Sequence, residues 1–321
     1  MALTDMKIFN KHVIQATIET VSQAIDKFNA ASGGAIVLSA EGFEGDFMME
    51  SMFKGLDNAQ RRVDRKTANA SQTATPLSQI EDASVKIAGG FGPILWEPSQ
   101  LTWMQMNEVQ AITALSQTLS DAIIKDQLNT GILAAIAAIK NNAAMVEDGS
   151  AGGVTQVGLN NSHARFGDRS ASLIADIMSG ATYHKLIGEA LANGTRLFSA
   201  GNVTIIDILG KPTIVTDAPA LTDTTGTPKL ASVLSLQSNG IVISNASDLI
   251  TNIETTNGKK RIETTFQADY TFGLGINGYA WDTSKGGSPT DAKLGAGANW
   301  KKYVTSDKDT AGTLLQYDSA K

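Results

Sequence analysis

Cysteine is absent from this 321-residue chain. That excludes disulfides, thiolate metal sites and thiol nucleophiles together. Charge is scarce as well: Asp, Glu, Lys and Arg make up 18% of the residues, against about a quarter in an ordinary globular domain. Small and polar residues fill the deficit, among them 30 glycines. Such a surface suits extensive contact with other chains, and equally a secreted protein. Positive charge is not in excess, since the formal net charge is −6 and the sequence pI is near 5.1. The chain therefore lacks the basic balance of proteins that grip phosphates. Only His12, His163 and His184 could supply imidazole, and none has a partner at metal-binding spacing. No run approaches about 18 apolar residues, so no bilayer span is expected. Met1 to Phe9 has no basic segment leading into an apolar one. No signal peptide is expected there, and folding is expected in a cytoplasm.

What is present is a 42% apolar fraction, enough for one large domain or two small ones. Met6, Phe9, Val13, Ala16, Val21, Ile25 and Phe28 recur at mostly three- and four-residue steps. They predict an N-terminal helix, stopped at Ser32-Gly33-Gly34 and too isolated to form a core, as a docking arm would be. Residues 33–98 read differently. A short strand is predicted at Ala35–Leu38 and another from Val85 to Trp96, interrupted at Gly89-Gly90. Between them lies a long polar stretch that carries the basic run Arg61-Arg62-Val63-Asp64-Arg65-Lys66. A stretch of that length without periodicity is uncommon inside a compact domain. Residues 99–142 carry the strongest helical stripe, from Val109 and Ile112 through Leu119 and Ile123 to Ile136 and Ile139. That helix would be roughly 60 Å long, with Asn129-Thr130-Gly131 as a possible break and Asn141-Asn142 as its close.

Gly149 to Gly158 reads as a glycine-rich loop. Helices are expected through Leu173–Met178, capped by Asp168 or Ser170, and over Ser179–Leu191. Short strands follow at Val203–Ile208, Thr213–Thr216, Val233–Leu236 and Ile241–Ile243. The clearest strand is 261–276, where Ile262, Phe266, Ala268, Tyr270, Phe272, Leu274 and Ile276 all occupy even positions. Period-two alternation of that length predicts one buried face. After Trp281 the chain turns Gly-, Ser- and Lys-rich, with Trp300 and Tyr303 as isolated anchors.

A search for chemistry finds little. Gly273-Leu274-Gly275-Ile276-Asn277-Gly278 has the glycine spacing of a dinucleotide site, but that site needs a helix directly after the glycines. Here the glycines sit in the alternating strand, where they mark a bulge or a close backbone approach. No G-x-S-x-G elbow or phosphate loop exists, and Glu44, Asp46 and Glu50 read as a solvated acidic loop. No catalytic residue, metal or cofactor is expected.

Several segments, in order, resemble the major capsid proteins of tailed bacteriophages. Gly45-Asp46-Phe47 followed by Arg61-Arg62-Val63-Asp64 is similar to their extended loop, and Val85 through Gly92-Pro93 to Trp96 to the strand returning from it. Ile123–Asn129 resembles the middle of their spine helix. Phe166–Arg169 leading to Ile177–Ser179 and His184–Leu186 is similar to a recurrent region of the group, and Leu209–Asp217 to a following strand. The resemblance covers roughly Phe28 to Trp281. It implies an α+β, Hong Kong 97-like capsid fold with an N-terminal arm (1–32), an extended inter-subunit loop (33–98) and a peripheral domain with the spine helix (99–160). An axial domain (161–258) and a return to the peripheral domain with a C-terminal tail (259–321) complete it.

The resemblance further implies pentamers and hexamers that close an icosahedral head around double-stranded DNA. Expected partners are other copies of the chain, a portal protein, a separate scaffolding protein and, in some relatives, a decoration protein. Candidate contact residues between subunits are Phe9 and Val13 in the arm, Phe43, Phe47 and Phe53 in the loop, and Arg61, Arg62 and Arg65 facing acidic groups across subunits. An encapsulin-type protein nanocompartment would keep the fold and change the cargo. A flagellin- or surface-layer-like assembly would share the composition, but flagellin-like chains place long helices at both ends.

Overall fold

A computed structural model describes residues 15–18, 29, 32–39, 45–53, 61–69, 71, 73, 74, 76, 79–97, 108–192, 211–223, 226–245, 249–258 and 260–321. The predicted strand Val203–Ile208 lies outside these residues, as does most of the predicted N-terminal helix, of which 15–18 is helical.

The architecture is α+β, with two sheets and one long helix. The strands are β1 (Ile36–Ser39), β2 (Phe47–Phe53), β3 (Gln79–Trp96), β4 (Val146–Gly149), β5 (Leu173–Met178), β6 (Thr213–Val215) and β7 (Thr222–Asp223). They continue with β8 (Leu230–Gln237), β9 (Ile241–Asn245), β10 (Ile250–Thr256), β11 (Glu263–Ile276), β12 (Tyr279–Trp281), β13 (Trp300–Lys302) and β14 (Gly312–Asp318). The first sheet runs β1-β9-β11-β12-β13, with β10 and β3 also on β11 and β2 on β3. The second runs β4-β14-β8-β5-β6, with β7 on β8.

β11 organises the first sheet. Every even residue from Thr264 to Ile276 is buried, while Gln267 and Asp269 on the odd face are exposed. Ile262 departs from the expected stripe: it precedes the strand and is exposed. β3 pairs with β11 from Val85↔Leu274 to Trp96↔Thr264, so Gly89-Gly90 do not interrupt it. Gly89 is there because Tyr270 needs the space, and Gly90 faces Asp269. A Cβ on Gly89 would lie 2.6 Å from the Tyr270 ring, and that ring stacks between Phe91 and Phe272 with centroids at 5.5 and 6.3 Å. The glycines of 273–278 also resolve as close approaches. A Cβ on Gly275 would meet Ser84 Oγ at 2.6 Å, and Gly278, at φ +80°, turns β11 into β12.

The spine helix runs Glu108–Lys140 without a break. At about 1.5 Å per residue it is some 50 Å long. Gly131 does not break it; it lets the helix press on the first sheet, where its Cβ would stand 3.1 Å from Ile241 and 3.2 Å from Ile243. Ala134, Ala135 and Ala138 are buried on the same stretch. Length and composition alone would let Ser116–Lys140 cross a membrane, but its mostly buried surface is that of a core helix. Asn142 closes the end, donating to Asp307 at 2.8 Å and to the Tyr279 hydroxyl at 3.3 Å.

The second sheet differs most from expectation. Leu173–Met178 is a strand, β5, preceded by a 3-10 turn at Gly167–Ser172, and not a helix. β5 lies between β8 and β6. Ala175 and Ile177 face the main core, while Met178 joins a second cluster with Leu159, Leu186 and Val233. A strand buried on both faces loses its alternation, so this six-residue run, apolar but for Asp176, carries no period to read. The expected loop at 149–158 contains the start of a helix, Gln156–Ala164, capped by Thr155, whose hydroxyl accepts from the Gly158 N–H at 2.9 Å. The helix Gly180–Ala192 agrees with expectation.

The segment after Trp281 is structural rather than a tail. Trp300 is buried, edge-on to Trp281 at 5.1 Å, and its indole N–H donates to the Leu294 carbonyl at 2.9 Å. β14 pairs antiparallel with β8 and parallel with β4. In the sheets, β9 and β10 lie with β11, and β14 lies with β5 and β8.

Candidate assembly interface

β2 and β3 form a hairpin whose inner part is built into the first sheet and whose outer part is not. From Val85 onward β3 lies on β11, while Gln79–Ser84 pair only with Phe53–Met48 of β2. A two-stranded hairpin alone in water is marginal; the outer part is held to its own body at the buried Ala83 and through Asp82 and Tyr303, and still leaves one face uncovered among the described residues. Its apolar groups say the same. Met48 is 44% and Met49 57% exposed, and Val63 in the segment between the two strands is exposed too. Consecutive apolar residues on a strand face opposite ways. Phe47-Met48-Met49 therefore offers apolar surface on both faces, only one of which the subunit can cover. That signal stands in the sequence and was missed.

The expected contact residues fall into groups. Phe9, Val13 and Phe43 lie outside the described residues. Phe47 is half-buried at the root of the hairpin and packs on the main core, across from Val85. Phe53 ends β2 opposite Gln79. Arg61, Arg62 and Arg65 are exposed in a segment without regular structure. Asp64 between them is used locally: its carboxylate accepts from the Lys66 N–H at 2.9 Å and from the Thr67 hydroxyl at 2.7 Å, which holds its pKa below the usual value. Among the described residues no ion pair joins the three arginines to an acid. They are brought together by sequence, not by contact with the aromatic residues.

The hairpin's foundation is an aromatic and acidic clamp. The Tyr270 hydroxyl on β11 donates to Asp126 of the spine helix at 2.5 Å. Burial, and then the Asp126 carboxylate, push this phenol far above its usual range, so it remains a donor at any ordinary pH. Tyr270→Phe is expected to cost about 1.5–3 kcal/mol, the value of a hydrogen bond to a charged group. Gly89→Ala should cost at least as much, because it drives the ring off the same site. Thermal unfolding of the unassembled chain checks both, and an unchanged midpoint for Gly89→Ala would disprove the clamp.

One polar cluster has the residues of a hydrolase. His163 Nε2 lies 3.0 Å from Asp176 Oδ1 and 3.1 Å from Ser235 Oγ, beside a cavity of about 870 Å³ that Lys211 also lines. A relay needs the acid and the nucleophile on different ring nitrogens. Here both meet the same one, and Ser235 is fully buried. The cluster ties the helix Gln156–Ala164 to β5 and β8, which is a structural task.

The profile of the major capsid protein 13-like family matches residues 5–314. The chain belongs to that family. It is a structural subunit of a tailed-phage head, and its architecture is the Hong Kong 97-like one. Among solved structures, the capsid asymmetric unit of cyanophage Pam1 superposes with a TM-score of 0.55 at 12% identity, over 89% of this chain and 88% of that one. Mycobacterium phage Adephagia gives 0.52 at 10% identity, over 87% of each. The holo-SrpI encapsulin complex from Synechococcus elongatus gives 0.50 at 12%, over 88% and 85%. No curated protein matches by sequence. At such identities the superpositions establish the fold alone, which a phage head and a nanocompartment share. The family match is what separates the two. It also reaches beyond Trp281 to residue 314, into β14, where the sequence offered no resemblance.

Proposed function

We propose that this capsid subunit assembles as pentamers and hexamers into a closed icosahedral head around double-stranded DNA, in a host cytoplasm, and performs no catalysis. The observation that supports this reading is the outer hairpin, with exposed Met48 and Met49 and three arginines lacking a partner acid among the described residues. A neighbouring copy supplies the missing layer and the missing acids. Closure follows from many modest contacts, since each subunit is held by several neighbours at once and symmetry repeats every favourable contact. A wall of net charge −6 contains DNA without gripping it.

Partners under this proposal are a portal at one vertex, a separate scaffolding protein, possible decoration proteins and the packaged DNA. Residues 1–32, including Phe9 and Val13, act as an arm under an adjacent subunit; within 33–98 the part between Phe47 and Val85 acts as the overlapping loop, with Phe43 and Phe53 as its anchors, while β1, Phe47 and β3 from Val85 onward hold it to its own subunit. The peripheral unit takes the spine helix with β9, β10 and β11, and the axial unit takes β5, β6, β8 and β14.

Electron microscopy of the purified chain, alone and with candidate scaffold, tests the proposal. Closed shells are expected, and a monomer under every condition would refute it. Replacing Arg61, Arg62 and Arg65 together with Glu should lower shell yield at least about tenfold at fixed concentration, because a loss of only about 1.4 kcal/mol is already a factor of ten. Yield equal to the native chain would remove the arginines from the interface.

A further inference from the structure

The root of the hairpin holds two carboxyl groups and a phenol in one small space. Asp82 on β3 sits directly across the ladder from Glu50 on β2. The Tyr303 hydroxyl, just past β13, donates to Asp82 Oδ2 at 2.9 Å and accepts from the Gly278 N–H at 3.3 Å. Glu50, Asp82 and Tyr303 share the lining of a cavity of about 280 Å³ with uncharged groups, among them Ser84 of β3, Val242 of β9, Ile276 of β11 and the turn residues Asn239 and Asn277. No cation lines it. Lys86 lies four residues further along the same face of β3, about 13 Å away at the rise of a strand. Lys301 and Lys302 beside Tyr303 are engaged with Asp282 and Asp307. Asp82 is thus the point where the free part of the hairpin is fastened to the body of the subunit. It faces a like charge directly opposite, an arrangement that destabilises a strand pair.

We propose that Asp82, Glu50 and Tyr303 form a proton-sensitive clasp that tightens the hairpin onto the subunit as pH falls. With both carboxyls ionised, Glu50 and Asp82 repel across the ladder. When one proton is bound, the two can share it as a hydrogen bond, while Tyr303 keeps its hold on Asp82. Burial first, and the Glu50 charge in addition, shift Asp82 upward from the ordinary carboxyl value against the opposing pull of the Tyr303 hydrogen bond. A group whose folded-state value is raised contributes stability that is complete below the ordinary range of about 4 and fades as pH rises through the raised value. The hairpin is therefore tighter in acid and looser at neutral and alkaline pH. A shell subunit with such a clasp sets the reach of its loop by proton concentration.

Hydrogen exchange of the unassembled full chain, corrected for intrinsic rates, tests this independently of shell formation. Amides of residues 48–52 and 80–84 should be about two- to fivefold better protected at acid than at alkaline pH, the factor expected for relief of a directly opposed like-charge pair. Asp82→Asn should give high protection at both pH values, and Glu50→Gln should shrink the difference. Tyr303→Phe should loosen the hairpin at both. A native chain with no pH difference in protection, or Asp82→Asn retaining the full response, overturns the clasp. Should Asp82→Asn fail to fold, Glu50→Gln decides: an undiminished response rejects the proposal.

Discussion

Gly312→Ala is expected to lower the stability of the unassembled subunit by about 4 kcal/mol or more, beyond the range of most single substitutions. Gly312 opens β14 opposite Leu236 of β8, and a Cβ built there would lie 1.9 Å from the Ser235 carbonyl oxygen and 2.9 Å from its carbon. Overpacked side chains usually relax at about 1–3 kcal/mol, because a rotamer can turn away. A backbone carbonyl in a paired strand cannot. Relief requires β14 to part from β8, and β14 also carries β4. Leu314, Leu315 and Tyr317 are buried along it, so the loss would spread through both core clusters. The thermal midpoint should fall by roughly 8 °C, at about 2 °C per kcal/mol for a chain of this size. The proper control is another glycine. Gly188 is exposed inside the helix Gly180–Ala192, with no atom within 4 Å of its Cβ position. Gly188→Ala should raise stability by about 0.5–1 kcal/mol from helix propensity alone. If both glycines respond alike, steric contact with Ser235 is not what fixes residue 312.

The difference between those two glycines shows where reading a sequence stops. Periodicity locates elements that bury one face: β11, with its even-numbered core residues, and the spine helix were both legible. It fails where both faces are buried. β5 reads Leu-Ile-Ala-Asp-Ile-Met, and nothing local distinguishes a doubly covered strand from a helical turn. Close approach is also invisible from one segment. Gly131, Gly89 and Gly312 each look like a weak point until Ile241, Tyr270 and Ser235 are seen pressed against them. Composition misled in the same way after Trp281, where a Gly-, Ser- and Lys-rich stretch shows Trp300 as an anchor but conceals the whole of β14.

The assembly surface was legible only in outline. A long polar stretch between two strands pointed to an extension, and the strands that flank it, β2 and β3, pair with each other. Phe47, though, is spent on the subunit's own core, because the aromatic nearest the root lies where β3 is still paired to β11. Exposed apolar surface falls to Met48 and Met49 instead. The acidic residue that matters at the root, Asp82, stands 32 residues from its partner Glu50, and only strand pairing brings the two together. Tyr303 comes from a part of the chain that looked like a tail.

The second large effect is expected at His163 and Asp176. Asp176→Leu should cost about 3 kcal/mol, since it leaves the buried imidazole with the Ser235 hydroxyl alone. His163→Leu should cost a similar amount, leaving Asp176 buried at the centre of β5. The carboxylate is already poorly served: Oδ2 has no hydrogen-bond partner among the described residues, although Lys211 stands near enough to be influenced by its charge. The double replacement is the informative one. Two leucines replace the bonded pair and leave only the Ser235 hydroxyl without its imidazole, and an apolar pair in place of a buried polar pair is often close to neutral. The double variant should therefore be no less stable than either single one, a coupling of about 2–3 kcal/mol. Urea unfolding of the four unassembled chains measures this, with slopes compared to exclude a changed denatured state. Additive costs would mean that the imidazole and carboxylate act through separate partners. Strong coupling would mean that one buried bond joins the helix Gln156–Ala164 to the second sheet, the layer that β14 and β8 build with β5.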